Sequence, residues 1–256
     1  MTSRVVCGVA LACAFVSGAA RAGAGLPPVA LTASPTRVTL SGSGVRHVRV
    51  TNAGRTPVVI DAAPAGFALD LRGRPRIVPL RTASWLTIRP HRLLLRAGAT
   101  ATLAVSAAVP RGAESGDHDE LVLIASRSSA SGDVAVRMRI GVVVQMHVPG
   151  AIVRRLALEE LRVRRPNRAR LLELVVANHG NVTEELARGA LVVSLLRGRQ
   201  VVAALRSAAR ELLPRSSGVV ELRYVGSARG GVTALVDLRP QRAQRIAIRR
   251  AFRIRL

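Results

Sequence analysis

From Arg137 to Val148 the chain alternates without a break. Met138, Ile140, Val142, Val144, Met146 and Val148 fall on one set of positions, and Arg137, Arg139, Gly141, Val143, Gln145 and His147 on the other. Successive side chains of a strand point to opposite faces, so this pattern predicts a long half-buried strand. Shorter alternations predict strands over 45–51, 100–105, 120–124, 170–176, 219–225 and 232–238, each bounded by Gly, Pro, Asn or Ser. Short strands separated by turn signals predict an all-β sandwich. The stretch Leu156 to Val163 contains good helix formers but no cap, and its apolar spacing also fits a strand. It is read as a strand that opens a second unit.

Three landmarks recur in the same order in the two halves. The strand ending Asn52-Ala53-Gly54 is matched by the one ending Asn178-His179-Gly180, and Asn-x-Gly closes a strand because both residues tolerate positive φ. Leu95-Arg96-Ala97-Gly98 is matched by Pro214-Arg215-Ser216-Ser217-Gly218. Gly116 opens the strand ending at Ile124, as Gly230-Gly231 opens the one ending at Leu238. The offsets shrink from 126 to 120 to 114 residues, as they do when the second copy has shorter loops. The repeat predicts two domains, 23–149 and 150–256, meeting at the turn dipeptide Pro149-Gly150.

Residues 1–22 have the build of a secretory signal peptide. Arg4 gives the positive start, Val5 to Phe15 the apolar run, and Ala20-Arg21-Ala22 the small-residue end, which predicts cleavage after Ala22. The apolar run is well short of the ~20 residues that a spanning helix needs, so no integral membrane span is expected. A lipoprotein reading at Leu11-Ala12-Cys13 fits less well, because the Cys lies inside the apolar run and Ala10 stands where a larger aliphatic is usual. Both cysteines, Cys7 and Cys13, leave with the signal, so the exported chain has neither a disulfide nor a thiolate metal site.

Several segments together resemble a known family. They are Ser34-Pro35, the Asn-x-Gly strand end, Ser84-Trp85-Leu86-Thr87-Ile88-Arg89-Pro90, Ala97-Gly98-Ala99-Thr100, Val109-Pro110 and Gly116-Asp117-His118. They resemble the first immunoglobulin-like domain of secreted bacterial surface proteins of the WxL-interacting, peptidoglycan-binding type. The second half, with Asn178-His179-Gly180-Asn181-Val182, looks like the domain that follows in those proteins. Pilus-chaperone-like Ig domains share the same turn and strand-opening features and are the neighbouring possibility. The resemblance implies two tandem immunoglobulin-like β-sandwich domains. Those surface proteins carry a membrane helix and a basic tail after the second domain, and here the sequence stops at Leu256, so the resemblance does not extend to an anchor.

The charge is strongly basic, with 39 basic residues, all of them Arg, against 15 acids and a formal charge of +24. Without lysine there is no Schiff-base, P-loop or general-base amine. The motifs of serine hydrolases, nucleotide-binding loops and zinc proteases are also missing, and no cofactor is implied. Asp117-His118-Asp119-Glu120 is the one cluster of possible metal ligands, but neighbours on an extended segment face opposite ways and do not converge. Trp85, the single tryptophan, is a ligand-contact candidate or a cover on the core edge. Tyr224 and Phe252 fall on inward positions, while Phe67 is ambiguous. So few aromatics make a poor nucleic-acid stacking platform, and export argues further against nucleic acid.

Residues 150–256 hold 22 Arg against eight acids, and residues 23–149 hold 15 against seven. In the last strand Ile246, Ile248, Phe252, Ile254 and Leu256 face the core, which turns Arg245, Arg249, Arg253 and Arg255 outward as a candidate polyanion-binding row. Arg250 falls on the inward set and predicts a bulge or an open core edge there.

These readings favour a non-enzymatic exported cell-surface or cell-wall-associated module whose partner is a wall polymer or an envelope protein. The alternative is a periplasmic-chaperone-like protein in which the strand Arg137 to Val148 completes a client's sheet. An enzyme with an unrecognised site ranks last. The export reading is checked by the intact mass of the secreted protein, which should begin at Gly23. Retention of Met1 or a lipid on Cys13 refutes it.

Overall fold

The computed structural model of the chain describes residues 30–80, 82–127, 137–166, 169–239 and 247–256. The signal segment and Arg245 lie outside them. The described residues form nineteen β-strands and no α-helix. In the first half these are β1 (Leu31–Ser34), β2 (Arg37–Ser41), β3 (Gly44–Asn52), β4 (Val58–Leu69), β5 (Pro75–Val78), β6 (Leu86–Arg89), β7 (Arg92–Leu95), β8 (Thr100–Ala107), β9 (Gly116–Ser126) and β10 (Arg139–Val148). The second half comprises β11 (Leu156–Arg164), β12 (Arg170–Asn178), β13 (Glu184–Leu186), β14 (Leu191–Arg197), β15 (Gln200–Arg206), β16 (Arg210–Leu212), β17 (Ser216–Tyr224), β18 (Gly231–Leu238) and β19 (Ile248–Arg255).

Two sheets face each other in the first half. One has the order β1-β3-β8-β6, and the other runs β2-β10-β9-β4, with β5 and β7 both pairing β4. In the second half β11-β12-β17 faces β15-β14-β18-β19, and β13 and β16 pair separately. The alternating apolar positions form two clusters. Val48, Val50, Leu103 and Val105 meet Ile60, Val122, Ile124, Val142, Val144 and Met146 in the first. Leu172, Leu174 and Val176 meet Leu191, Val193, Leu195, Val236 and Leu238 in the second. Each such side chain contributes roughly 1.5–3 kcal/mol when taken from water.

One device is repeated in both halves. Asn52 is fully buried, and its Nδ2 donates to the carbonyls of Thr56 (2.8 Å), Leu95 and Arg96 (both 3.2 Å), while its Oδ1 accepts from Gly54 N (3.0 Å). Asn178 is buried in the same way. Its Nδ2 donates to Val182 (2.8 Å), Leu212 (3.2 Å) and Leu213 (3.1 Å), and its Oδ1 accepts from Gly180 N (2.9 Å). Each amide ties the end of one strand to the following turn and to the segment leading into the paired strand β8 or β17.

The second landmark of the repeat needs a correction. The Asn contacts align Leu95-Arg96 with Leu212-Leu213, an offset of 117 residues, and not with Pro214-Arg215. Matching glycine to glycine misleads here, because Gly98 sits in a turn at φ +72° whereas Gly218 lies inside β17. The left-handed position of the second half is taken instead by Arg215, at φ +53°.

The long strand β4 was missed in the sequence because Pro64 and Gly66 interrupt it. Its even residues direct their amides away from β9, as Ala62 N donating to His91 O shows (2.7 Å). The missing N–H of Pro64 therefore falls in the gap between the β7 pairing, which ends at Asp61, and the β5 pairing, which begins at Gly66. Leu156 to Val163 is a strand, with a register shift between Leu158 and Glu160. The bulge expected at Arg249-Arg250 is absent, since β19 pairs with β18 in unbroken register. Because β19 is an edge strand, the inward-set Arg250 leaves between the sheets, where it reaches Leu158 O and lies 5.0 Å over the Phe252 ring.

Removing either amide strands three carbonyls in or near the core. Asn52→Ala and Asn178→Ala should each lower unfolding free energy by about 3 kcal/mol in chemical denaturation, and a loss under about 1 kcal/mol would show that the amides are dispensable.

Candidate functional site

Residues 31–41 divide between two sheets. Leu31 to Ser34 pair with β3 in one sheet, and after Pro35 the chain crosses so that Arg37 to Ser41 run parallel to β10 in the other. The β2 ladder covers Val143 to His147 and begins with Val143 N donating to Thr36 O (3.0 Å). Among the described residues, Arg139 to Val142 have no partner on that side. The even residues of β10 bond toward β9, as Ser126 N to Met138 O shows (2.9 Å), so the amides and carbonyls of Arg139 and Gly141 face the open edge. Val142 is buried, while Met138 and Ile140 are only half-buried against the core. One strand thus combines unpaired backbone groups with an incompletely covered apolar stripe.

The other end of β10 is locked against the second half. On the outer face of the sheet, Arg37 makes two hydrogen bonds to Glu211 (2.6 and 2.9 Å), which hold its guanidinium charged. Asp117 accepts from His147 Nδ1 and from Thr183 N (both 2.8 Å), and Gln145 donates to Thr183 Oγ1 (3.0 Å). Arg72, on the turn after β4, reaches Glu173 (3.1 Å) and Glu221 (2.9 Å). Arg210 crosses the opposite way, to the carbonyl of Leu71 (2.7 Å). A Cβ on Gly116, which has φ +119°, would overlap the Asn181 carbonyl, so glycine is required where this strand start meets the second half.

Asp119 shares this face, with no hydrogen-bond partner for its buried Oδ1 among the described residues. Burial pushes its carboxyl up to about 7; Arg37 opposes the rise, and Asp117 and Glu211 add to it. Nothing in the sequence marked Arg37 or Glu211, since the pairing joins residues 174 positions apart, and Asp119 was marked only as one of the acids in the stretch 117–120.

The candidates named from sequence are dispersed. Trp85 packs against the edge of the first core, its ring 4.6 Å from that of His118, and its backbone N–H donates to a Glu120 carboxylate oxygen (3.2 Å). It also lines a cavity of about 750 Å³ in the cleft between the halves. In the stretch 117–120, Asp117 faces the second half while His118 and Glu120 face Trp85, and no group of three metal-ligating residues converges among the described residues. Arg249, Arg253 and Arg255 lie exposed on one face of β19, and Arg249 pairs with Asp237 (3.0 Å).

No protein-family model matches the sequence, and no curated protein matches it. Solved structures do match in fold. The class 5 fimbriae chaperone CfaA superposes with a TM-score of 0.52 at 13% identity, over 87% of this chain and 98% of that one. A chaperone–tip adhesin complex of CFA/I fimbriae biogenesis gives 0.51 at 11% identity, over 87% and 98%. The chain therefore shares the Ig-like β-sandwich fold of fimbrial chaperones. Of the two likenesses read from the sequence, the pilus-chaperone-like one is matched, and the WxL-interacting one receives no support.

The raised Asp119 carboxyl has a definite sign. A carboxyl whose folded pKa lies above its unfolded value favours the fold while protonated; that stability is full below about pH 4 and is lost as pH rises through about 7. Asp119→Asn should therefore be more stable than the parent at pH 8, on the order of 4 kcal/mol, with the gap shrinking as pH falls and closing by about pH 4. Urea unfolding at the two pH values measures it, and a pH-independent difference refutes the assignment.

Proposed function

We propose that this chain is a non-enzymatic chaperone-like protein of the bacterial envelope that holds an exported client by strand addition. The open edge of β10 at Arg139 to Val142 carries this reading. An incoming strand would hydrogen-bond to the backbone of Arg139 and Gly141 and cover the half-buried Met138 and Ile140. The fold shared with CfaA and with the chaperone–tip adhesin complex supports it, and so does the signal-like N-terminus. The client class it suits is an exported fimbrial-type subunit whose own sheet lacks a strand.

The same stripe serves the core. Val142, Val144, Met146 and Val148 are buried in the first half, so only the beginning of the strand is free for a client. Wall-polymer binding ranks behind this reading, because the solved structures that share the fold are fimbrial chaperones.

Pull-down from the producing cell's envelope followed by hydrogen exchange on the captured complex tests the proposal. The amides of Arg139 and Gly141 should exchange freely in the isolated protein and become protected in the complex. Arg139→Pro, which deletes one outward N–H at an edge where proline is tolerated, combined with Ile140→Thr, should reduce capture at least tenfold while shifting unfolding by no more than about 2 kcal/mol. Unchanged capture, or protection elsewhere only, overturns it.

A further inference from the structure

The outer face of the sheet β15-β14-β18-β19 carries a second feature, remote from the β10 edge and independent of the reading above. The register places Arg206, Val192, Asp237 and Arg249 in one row across the four strands, since Val192 pairs with Arg206 and Asp237, and Asp237 pairs with Arg249. All four are on the outward set, because Leu191, Val193, Val236 and Leu238 fill the core. At the usual strand spacing of ~4.8 Å, the arginines at the two ends of the row stand about 14 Å apart.

The charges in the row do not cancel. Asp237 accepts from Arg239 Nε (3.3 Å) and Arg249 Nε (3.0 Å), while Arg206 has no acid partner among the described residues. Burial works to raise the Asp237 carboxyl, but the two guanidiniums outweigh it and hold the group below the ordinary carboxylate range. Asp237 thus orients two guanidiniums that still have free N–H groups, so a ligand has less side-chain entropy to remove. The apolar floor is formed by Val192, between the charged ends, and by Leu235, 40% exposed and one row along the sheet opposite Ser194 and Ala251. Together these residues line a groove of about 510 Å³.

We infer that this groove binds an extended acidic peptide segment, whose carboxylates meet Arg206 and Arg249 and whose intervening apolar side chain covers Leu235. Guanidinium forks match carboxylates in pairs of hydrogen bonds, and the site already holds one carboxylate of its own in Asp237. A bare phosphate polymer would satisfy the arginines but leave the floor of Val192 and Leu235 in water. That floor is the reason for naming a peptide.

The test uses the full exported chain and four probes in isothermal titration at low salt. These are acetyl-Asp-Leu-Asp-Leu-Asp-amide, the same peptide with Asn for Asp, the same with Ser for Leu, and linear polyphosphate. The Asp-Leu peptide should bind, while the Asn and Ser versions should bind at least fivefold more weakly. Arg206→Gln and Arg249→Gln together should weaken the Asp-Leu peptide at least tenfold, and Leu235→Ser at least threefold. Arg46→Gln, on the exposed part of β3, should leave it unchanged. Thermal unfolding identifies any variant that misfolds, and Leu235→Ser, which leaves every charge in place, provides a second reading. Equal binding by the double arginine variant overturns the proposal. So does binding of polyphosphate, or of the Asp-Ser peptide, as tight as that of the Asp-Leu peptide, since either result reduces the groove to a general basic face.

Discussion

The architecture of the first half depends on where residues 31–41 change sheets. A strand that stayed beside β10 throughout would close its edge, and one that stayed beside β3 would leave that edge wholly open. The crossing after Ser34 does neither. Pro35 offers no N–H to a ladder at that point, and the chain resumes beside β10 only at Arg37. The outcome is an edge that is sealed next to the second half and unpaired away from it. Unpaired edges invite unwanted association, and the exposed Arg139 places a charge where natural sheets place one to discourage it. Under the proposed function, a client strand would use the backbone that the charge guards.

The sealed end of β10 is where the halves meet. Arg37 and Glu211, Asp117 and Thr183, and Arg72 with Glu173 and Glu221 join them through polar contacts rather than through a shared apolar core. Such an interface is sensitive to charge state, and Asp119 is its weak point, since its carboxyl is buried beside two other acids and one arginine. The strand with the open edge is therefore built into the same surface that docks the second half.

Burial of the two asparagines explains why a two-copy pattern is visible in the sequence at all. An Asn at the end of a strand, followed two residues later by glycine, is a local signature, and the side chain that produces the turn also reaches a segment more than thirty residues ahead in each half. The turn is local and could be read. The reach is not, and aligning the second landmark by its glycines shifted it by three residues, because the left-handed position is held by glycine in one half and by Arg215 in the other.

Period-two alternation was enough to define the all-β class, the strands β3, β8, β9, β12, β17 and β18, the core face of β10, and the inward placement of Tyr224 and Phe252, because which face a strand residue occupies is fixed by its neighbours in the chain. The length of β4 was hidden, since whether proline breaks a strand depends on what lies beside its nitrogen. The sequence showed the apolar stripe of Arg137 to Val148 but not that only its first residues lie at an open edge, for an edge is defined by the absence of a neighbouring strand. Likewise it gave the excess of arginine, while the row Arg206, Val192, Asp237 and Arg249 comes from four strands lying between Leu191 and Arg255 and exists only once their registers are set. Faces are a local property of the chain; edges, rows and the cleft between the halves belong to the tertiary structure.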